Sequence, residues 1–273
     1  MIASASDQRG DEPLVSPLIE MRMSLQFATL GSLRTPYIGL LWSKLRDRYF
    51  QGIEQPPIPP VFETFGGPPN AGVPQLNIQF NAPVPRIVFE GNDAGMYLHV
   101  QQDRLMLVWS RYPTEQPYPG YEAMRDRFAS EIRVVQDFLE AENLGEIQPN
   151  QCELVYINAL LLPGDAAVHE HLDRVTPLWQ PIDTGLPFES AHMLNRYIIS
   201  SGGKPTGRLH TSFSPAVLTA TGEPNYQLEI VARCRPEGVA IASAFATFDE
   251  AHDLIGRAFK GVTSSTVRAS GGD

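Results

Sequence analysis

Residues 19–27 alternate without a break. Ile19, Met21, Met23, Leu25 and Phe27 are apolar, and Glu20, Arg22, Ser24 and Gln26 between them are polar. Successive side chains of an extended chain point to opposite faces, so this period of two predicts a strand with one face on a core and the other toward water. Such a strand needs neighbours to cover its apolar face and to satisfy its backbone. The rest of the chain is therefore read for further strands and for helices able to pack on them.

Strand-like runs follow at Leu76–Phe80, Arg86–Phe89, Met96–Gln101 and Arg104–Ser110, the last two joined by a turn at Gln102–Asp103. In the second half, Glu153–Leu161, His192–Ser200, Arg208–Ala220 and Tyr226–Arg235 read the same way, with turns at Gly202–Gly203 and over 222–225. Three segments have helical spacing instead. Thr35 is placed as an N-cap with Pro36 in the first turn, and Ile38, Leu41, Leu45 and Tyr49 share a face. A long amphipathic helix is predicted over Tyr118–Asn143, with Met124, Phe128, Ile132, Val135 and Leu139 on one face and Gly145 just beyond it. A last helix is predicted from about Phe248, because Thr247 and Glu250 have capping-box spacing ahead of Ala251, Ile255, Ala258 and Val262.

The fold class expected is α+β: an extended antiparallel sheet packed by two or three helices. Each half runs strand, long excursion, several strands, helix, an order that admits a pseudo-repeat of two halves. The divisions expected are a flexible tail over 1–16, an N-terminal α+β half over 17–150, a C-terminal half over 151–267 sharing the same core, and a tail over 268–273. Residues 54–74 carry so many Pro and Gly that helix is excluded and a central strand is disfavoured. Long excursions of this kind in a compact domain are often functional, and a Pro-rich one can act as a polyproline-II ligand.

The formal charge of −10 argues against non-specific binding to nucleic acid or an anionic membrane. No apolar run reaches the roughly 20 residues of a membrane helix, and residues 1–12 do not resemble a signal peptide. Cys152 and Cys234 form no metal or redox motif and read as plain thiols. A cytoplasmic location is expected.

Four short stretches carry a resemblance: Pro17-Leu18-Ile19-Glu20, Asp103-Arg104-Leu105 leading to Trp109 and Tyr112, Tyr156-Ile157-Asn158, and Ala251-His252-Asp253 with Phe259. In their order they resemble a sporadically distributed bacterial and archaeal family of uncharacterised proteins of about 250 residues. Val155 stands where members of that family often have Arg, so no role of that arginine carries over. The resemblance implies no established activity. It suggests a patchily distributed gene of the kind associated with mobile or defence modules.

Candidate chemistry is sparse. His169, His171 and Asp173 would point the same way from an extended segment and could hold a metal, although the competing reading is a polar loop. His252 falls on or beside the apolar stripe of the last helix, with Tyr156 and Asn158 on a central strand as polar partners, and the three form the candidate polar cluster. Ser201–Thr206 lacks the phosphate-loop pattern and reads as a hairpin turn. No nucleophile elbow or dinucleotide fingerprint is present. The function expected is a non-enzymatic binding or assembly component without a cofactor. Its suggested setting is a bacterial defence or toxin-neutralising module, with a protein partner encoded in the same operon. The alternative is a metal-dependent or small-ligand-binding enzyme with a cleft between sheet and helices.

Overall fold

The computed structural model describes residues 17–66, 84–112, 115–162, 168–219 and 221–269. The strand expected over Leu76–Phe80 and the tail expected over 1–16 lie outside them. The described strands are β1 (Leu18–Phe27), β2 (Tyr49–Gln55), β3 (Arg86–Gly91), β4 (Met96–Gln101), β5 (Arg104–Ser110), β6 (Pro149–Leu160), β7 (Met193–Ser201), β8 (Lys204–Val217) and β9 (Pro224–Cys234). The helices are α1 (Thr35–Leu45), α2 (Tyr121–Ala141), a short α3 (Leu172–Val175), α4 (Ile241–Val262) and α5 (Ser265–Ala269). The protein is α+β, with one antiparallel sheet in the order β2-β3-β4-β5-β1-β6-β9-β8-β7.

β1 and β6 pair at the centre with Met23 opposite Leu154. Outward from β1 run β5, β4, β3 and β2, and outward from β6 run β9, β8 and β7. Met21, Met23 and Leu25 of β1, Leu105, Leu107 and Trp109 of β5, and Leu154 of β6 are all buried in one core with Phe128 of α2 and Phe248 of α4. The Phe128 ring meets Phe245 and Phe248 edge-on at 6.2 and 6.0 Å, which locks α2 against α4 above the central strands. Truncating a fully buried phenylalanine such as these costs about 3–5 kcal/mol through lost transfer energy and the cavity left behind.

Three local expectations are corrected. Residues 49–55 form the edge strand β2, not the end of a helix. Arg34, not Thr35, flanks α1 as its N-cap. The last helix begins at Ile241, and Thr247 lies inside it, its hydroxyl donating to Ser243 O at 2.9 Å. A Thr with Glu three residues on imitates a capping box, whereas the true N-cap, Ala240, offers no side-chain signal. The long helix, expected over Tyr118–Asn143, runs from Tyr121 to Ala141. Asn143 takes the left-handed conformation with φ 53°, and Leu144 N donates to Leu139 O at 2.9 Å.

The outer face of the sheet also departs from expectation. Ser24 and Gln26, expected in water, are each only 2% exposed. What covers them is the Pro-rich chain that leaves β2.

Candidate functional site

Residues 56–66 hold Pro56, Pro57, Pro59 and Pro60. Proline has no N–H to give a ladder, so this stretch cannot join the sheet as a strand. It crosses the outer face as a strap, and side chains of the strands beneath satisfy its backbone. Gln101 on β4 clamps both groups of one residue, Nε2 donating to Ile58 O at 2.9 Å and Oε1 accepting from Ile58 N at 2.8 Å. On β1, Gln26 Oε1 accepts from Val61 N at 3.0 Å. Arg104 on β5 donates from Nη2 to that same Gln26 oxygen at 2.9 Å and to Pro59 O at 3.2 Å. Further along, Arg208 on β8 donates to Thr64 O at 2.6 Å and lies over the Phe65 ring at 4.7 Å.

The strap places one carboxylate among two guanidinium groups and an imidazole. Glu63 accepts from His210 Nε2 and Arg233 Nη1, each at 2.8 Å, and forms an ion pair with Arg208. Arg233 in turn donates from Nε to Glu153 on β6 at 2.6 Å. The Glu63 side chain is 8% exposed. Burial by itself would raise its carboxyl, but the hydrogen bonds from His210, Arg208 and Arg233 outweigh that and hold it at about 2.

Beside this seat is a narrow recess. Ser24, Gln26, Arg104, Gln151, Glu153 and Arg233 form its floor and sides, and Val61 of the strap forms the remaining wall. Arg104 and Gln151 are 6% and 5% exposed, and Arg104 Nε and Gln151 Nε2 have no hydrogen-bond partner among the described residues. A wider cleft of about 680 Å³ lies next to the strap, bounded by Phe62 and Phe65, the β7–β8 turn at Ser201 and Lys204, and Ser243 and Thr247 of α4. Toward the other end of the strap, Arg86 Nη1 donates to His99 Nδ1 at 2.6 Å. Burial, with the charges of Arg86 and Arg22, pushes His99 down to about 3, so the ring is neutral at physiological pH.

The structure brings together two of the three residues of the candidate polar cluster. The Tyr156 hydroxyl and His252 Nδ1 are 2.9 Å apart, and Tyr118 OH is 3.2 Å from Tyr156 OH. The His252 ring stacks on Tyr121 at 3.9 Å with an interplanar angle of 2°. The Tyr121 hydroxyl donates to Asp249, which Arg125 holds with two bonds of 2.7 and 2.9 Å. Burial raises the Tyr156 hydroxyl and lowers the His252 imidazole, so both are neutral near pH 7. This chain of hydrogen bonds joins α2, α4 and β6. Asn158 is not part of it and donates instead from Nδ2 to Leu228 O at 3.4 Å.

His169, His171 and Asp173 do not converge. The segment folds as a 3-10 turn over Val168–Glu170 followed by α3, so the two-residue spacing no longer aligns them. His169 Nε2 donates to Ala216 O and Asn225 O at 3.1 and 2.8 Å, bracing the β8–β9 connection, while His171 and Asp173 are exposed. Among the described residues no group of three His, Cys, Asp or Glu side chains is placed to hold a metal ion. The two cysteines are free and buried, and they face each other across β6 and β9. Burial pushes the Cys234 thiol up to about 12. Among the described residues no helix is long and apolar enough to cross a membrane.

Sequence reasoning missed Gln26, Gln101, Glu63 and Arg233. The one signal for them was the Pro-rich excursion itself. Compared with known families and with curated proteins, the chain matches no family model and no curated protein.

Proposed function

We propose that this protein is a non-enzymatic docking component whose outer sheet face receives an extended, Pro-rich segment of another protein, with the strap as its resident occupant. The observation that carries this reading is the Gln101 clamp on both backbone groups of Ile58. A side-chain amide that bonds an N–H and a C=O of one residue reads backbone, not side-chain identity. The same contact is open to any extended chain of suitable shape. Proline-rich occupants suit such a face because they are extended before they bind and lose little entropy on docking.

The enzyme reading would have to rest on Tyr156 and His252. Neither is among the residues bounding the 680 Å³ cleft. Their hydrogen bonds serve the packing of α2 and α4 on β6.

Displacement of the strap tests the proposal. A synthetic peptide of residues 56–66 competes with a tethered copy whose effective concentration is on the order of millimolar. At several millimolar peptide, the Ile58 and Val61 amides of the protein should lose their protection from hydrogen exchange. Protection that is unchanged at that excess sinks the reading.

A further inference from the structure

We propose that the partner segment received by this face is acidic at two positions, with carboxylates spaced as residues 61 and 63 are in the strap. This rests on the docking reading above and names the chemistry of its occupant.

The first position is the seat of Glu63. Arg208, His210 and Arg233 converge there on one carboxylate, and the only acid on the sheet among these contacts, Glu153, is already shared with Arg233. An occupant without a carboxylate at this point would leave guanidinium groups in a largely enclosed place without their counter-charge, which is strongly disfavoured. Whatever replaces the strap must therefore bring its own.

The second position is the recess walled by Val61. Two buried donors, Arg104 Nε and Gln151 Nε2, lie there without partners among the described residues, and the valine side chain offers no acceptor. Buried donors are nearly always satisfied in folded proteins, so a pair left open beneath one occupant residue marks a place where a different occupant fits better. A carboxylate can accept from a guanidinium and an amide together. The strap thus meets one of the two requirements and fails the other, which makes it a displaceable occupant. A partner carrying Asp two residues before Glu meets both.

The test uses the full chain with Glu63→Lys, which puts an ammonium group against the guanidinium groups of Arg208 and Arg233 and drives the strap out. Three labelled peptides of residues 56–66 are titrated into it by fluorescence anisotropy: the native sequence, one with Val61→Asp and one with Glu63→Gln. The Val61→Asp peptide should bind at least about tenfold tighter than the native one, and the Glu63→Gln peptide at least about tenfold weaker, as expected for charge-assisted bonds gained and lost. Binding of the Val61→Asp peptide should also weaken most steeply with added salt. Equal affinities for all three peptides overturn the acidic preference while leaving backbone docking in place. Absence of binding by all three, in a variant whose unfolding transition matches the parent, overturns docking itself. Should Glu63→Lys not fold, Glu63→Ser vacates the seat without adding charge, and the same ranking decides.

Discussion

Replacing Glu63 by Gln keeps the shape of the side chain and one acceptor oxygen but turns an NH2 toward the guanidinium of Arg208 or Arg233. In the native protein the carboxyl is held at about 2 against an ordinary 4.5, a difference of about 300-fold in proton affinity. At about 1.4 kcal/mol per factor of ten the ceiling on its contribution is about 3.4 kcal/mol. Arg208, His210 and Arg233 are 17–18% exposed and partly screened by water, so about 2 kcal/mol is the working figure. That energy belongs to strap docking, because Glu63 lies on the strap and its ion pairs run to Arg208 and Arg233 of the sheet beneath. The Ile58 and Val61 amides should therefore exchange about 30-fold faster in Glu63→Gln than in the parent at pH 7. The sign with pH follows from a depressed carboxyl. Its contribution is complete above about 4.5 and is lost as pH falls through about 2, so the ratio between parent and variant should close toward one at that end. Hydrogen exchange by NMR at pH 7, 4 and 2.5 measures it. Equal exchange at pH 7, or a ratio that stays constant down to pH 2.5, would refute the reasoning.

Two further perturbations probe the sheet beneath. Gly207→Ala in β8 would put a methyl 2.5 Å from Arg233 O and 2.9 Å from Cys234 Cα, so the β8 and β9 backbones must part. About 1–3 kcal/mol of destabilisation is expected, and an unchanged urea midpoint would show that the strands are not in close contact there. His99 should stay neutral with its proton on Nε2, since Nδ1 accepts from Arg86. Below about 6.5 the unfolded chain takes up a proton that the folded chain refuses until about 3. Acid therefore lowers stability over that window, and His99→Leu should flatten the pH dependence. An imidazolium signal for His99 at pH 5.5 would contradict this.

Much of the fold could be read from local spacing. The alternation in β1, the apolar stripe of α2 and the glycine turn at 202–203 are short-range patterns, because side-chain direction along a strand or helix is fixed by the backbone within a few residues. Where local signals misled, something else imitated them or none existed. Thr247 resembles a cap but bonds Ser243 O inside α4. The segment YFQGIEQ of β2 has no alternation and, among the described residues, pairs only with β3, so its strand state comes from β3. The His252–Tyr156 pairing could be anticipated because both residues sit on long, regular elements whose buried faces were evident.

Local pattern alone yields an α+β chain with an antiparallel sheet packed by helices and a Pro-rich stretch that is no helix and is disfavoured as a central strand. Where that stretch lies depends on contacts between distant parts of the chain. Glu63 meets Arg208, His210 and Arg233 across 145, 147 and 170 residues of chain. No local rule links residues so far apart, since their proximity depends on β9 and β8 standing beside β6 in the sheet. The outer face of β1 illustrates the same division. Its polar residues announced which way they pointed, but not that water would be replaced there by a segment with four prolines, held by the amides and guanidinium groups below it.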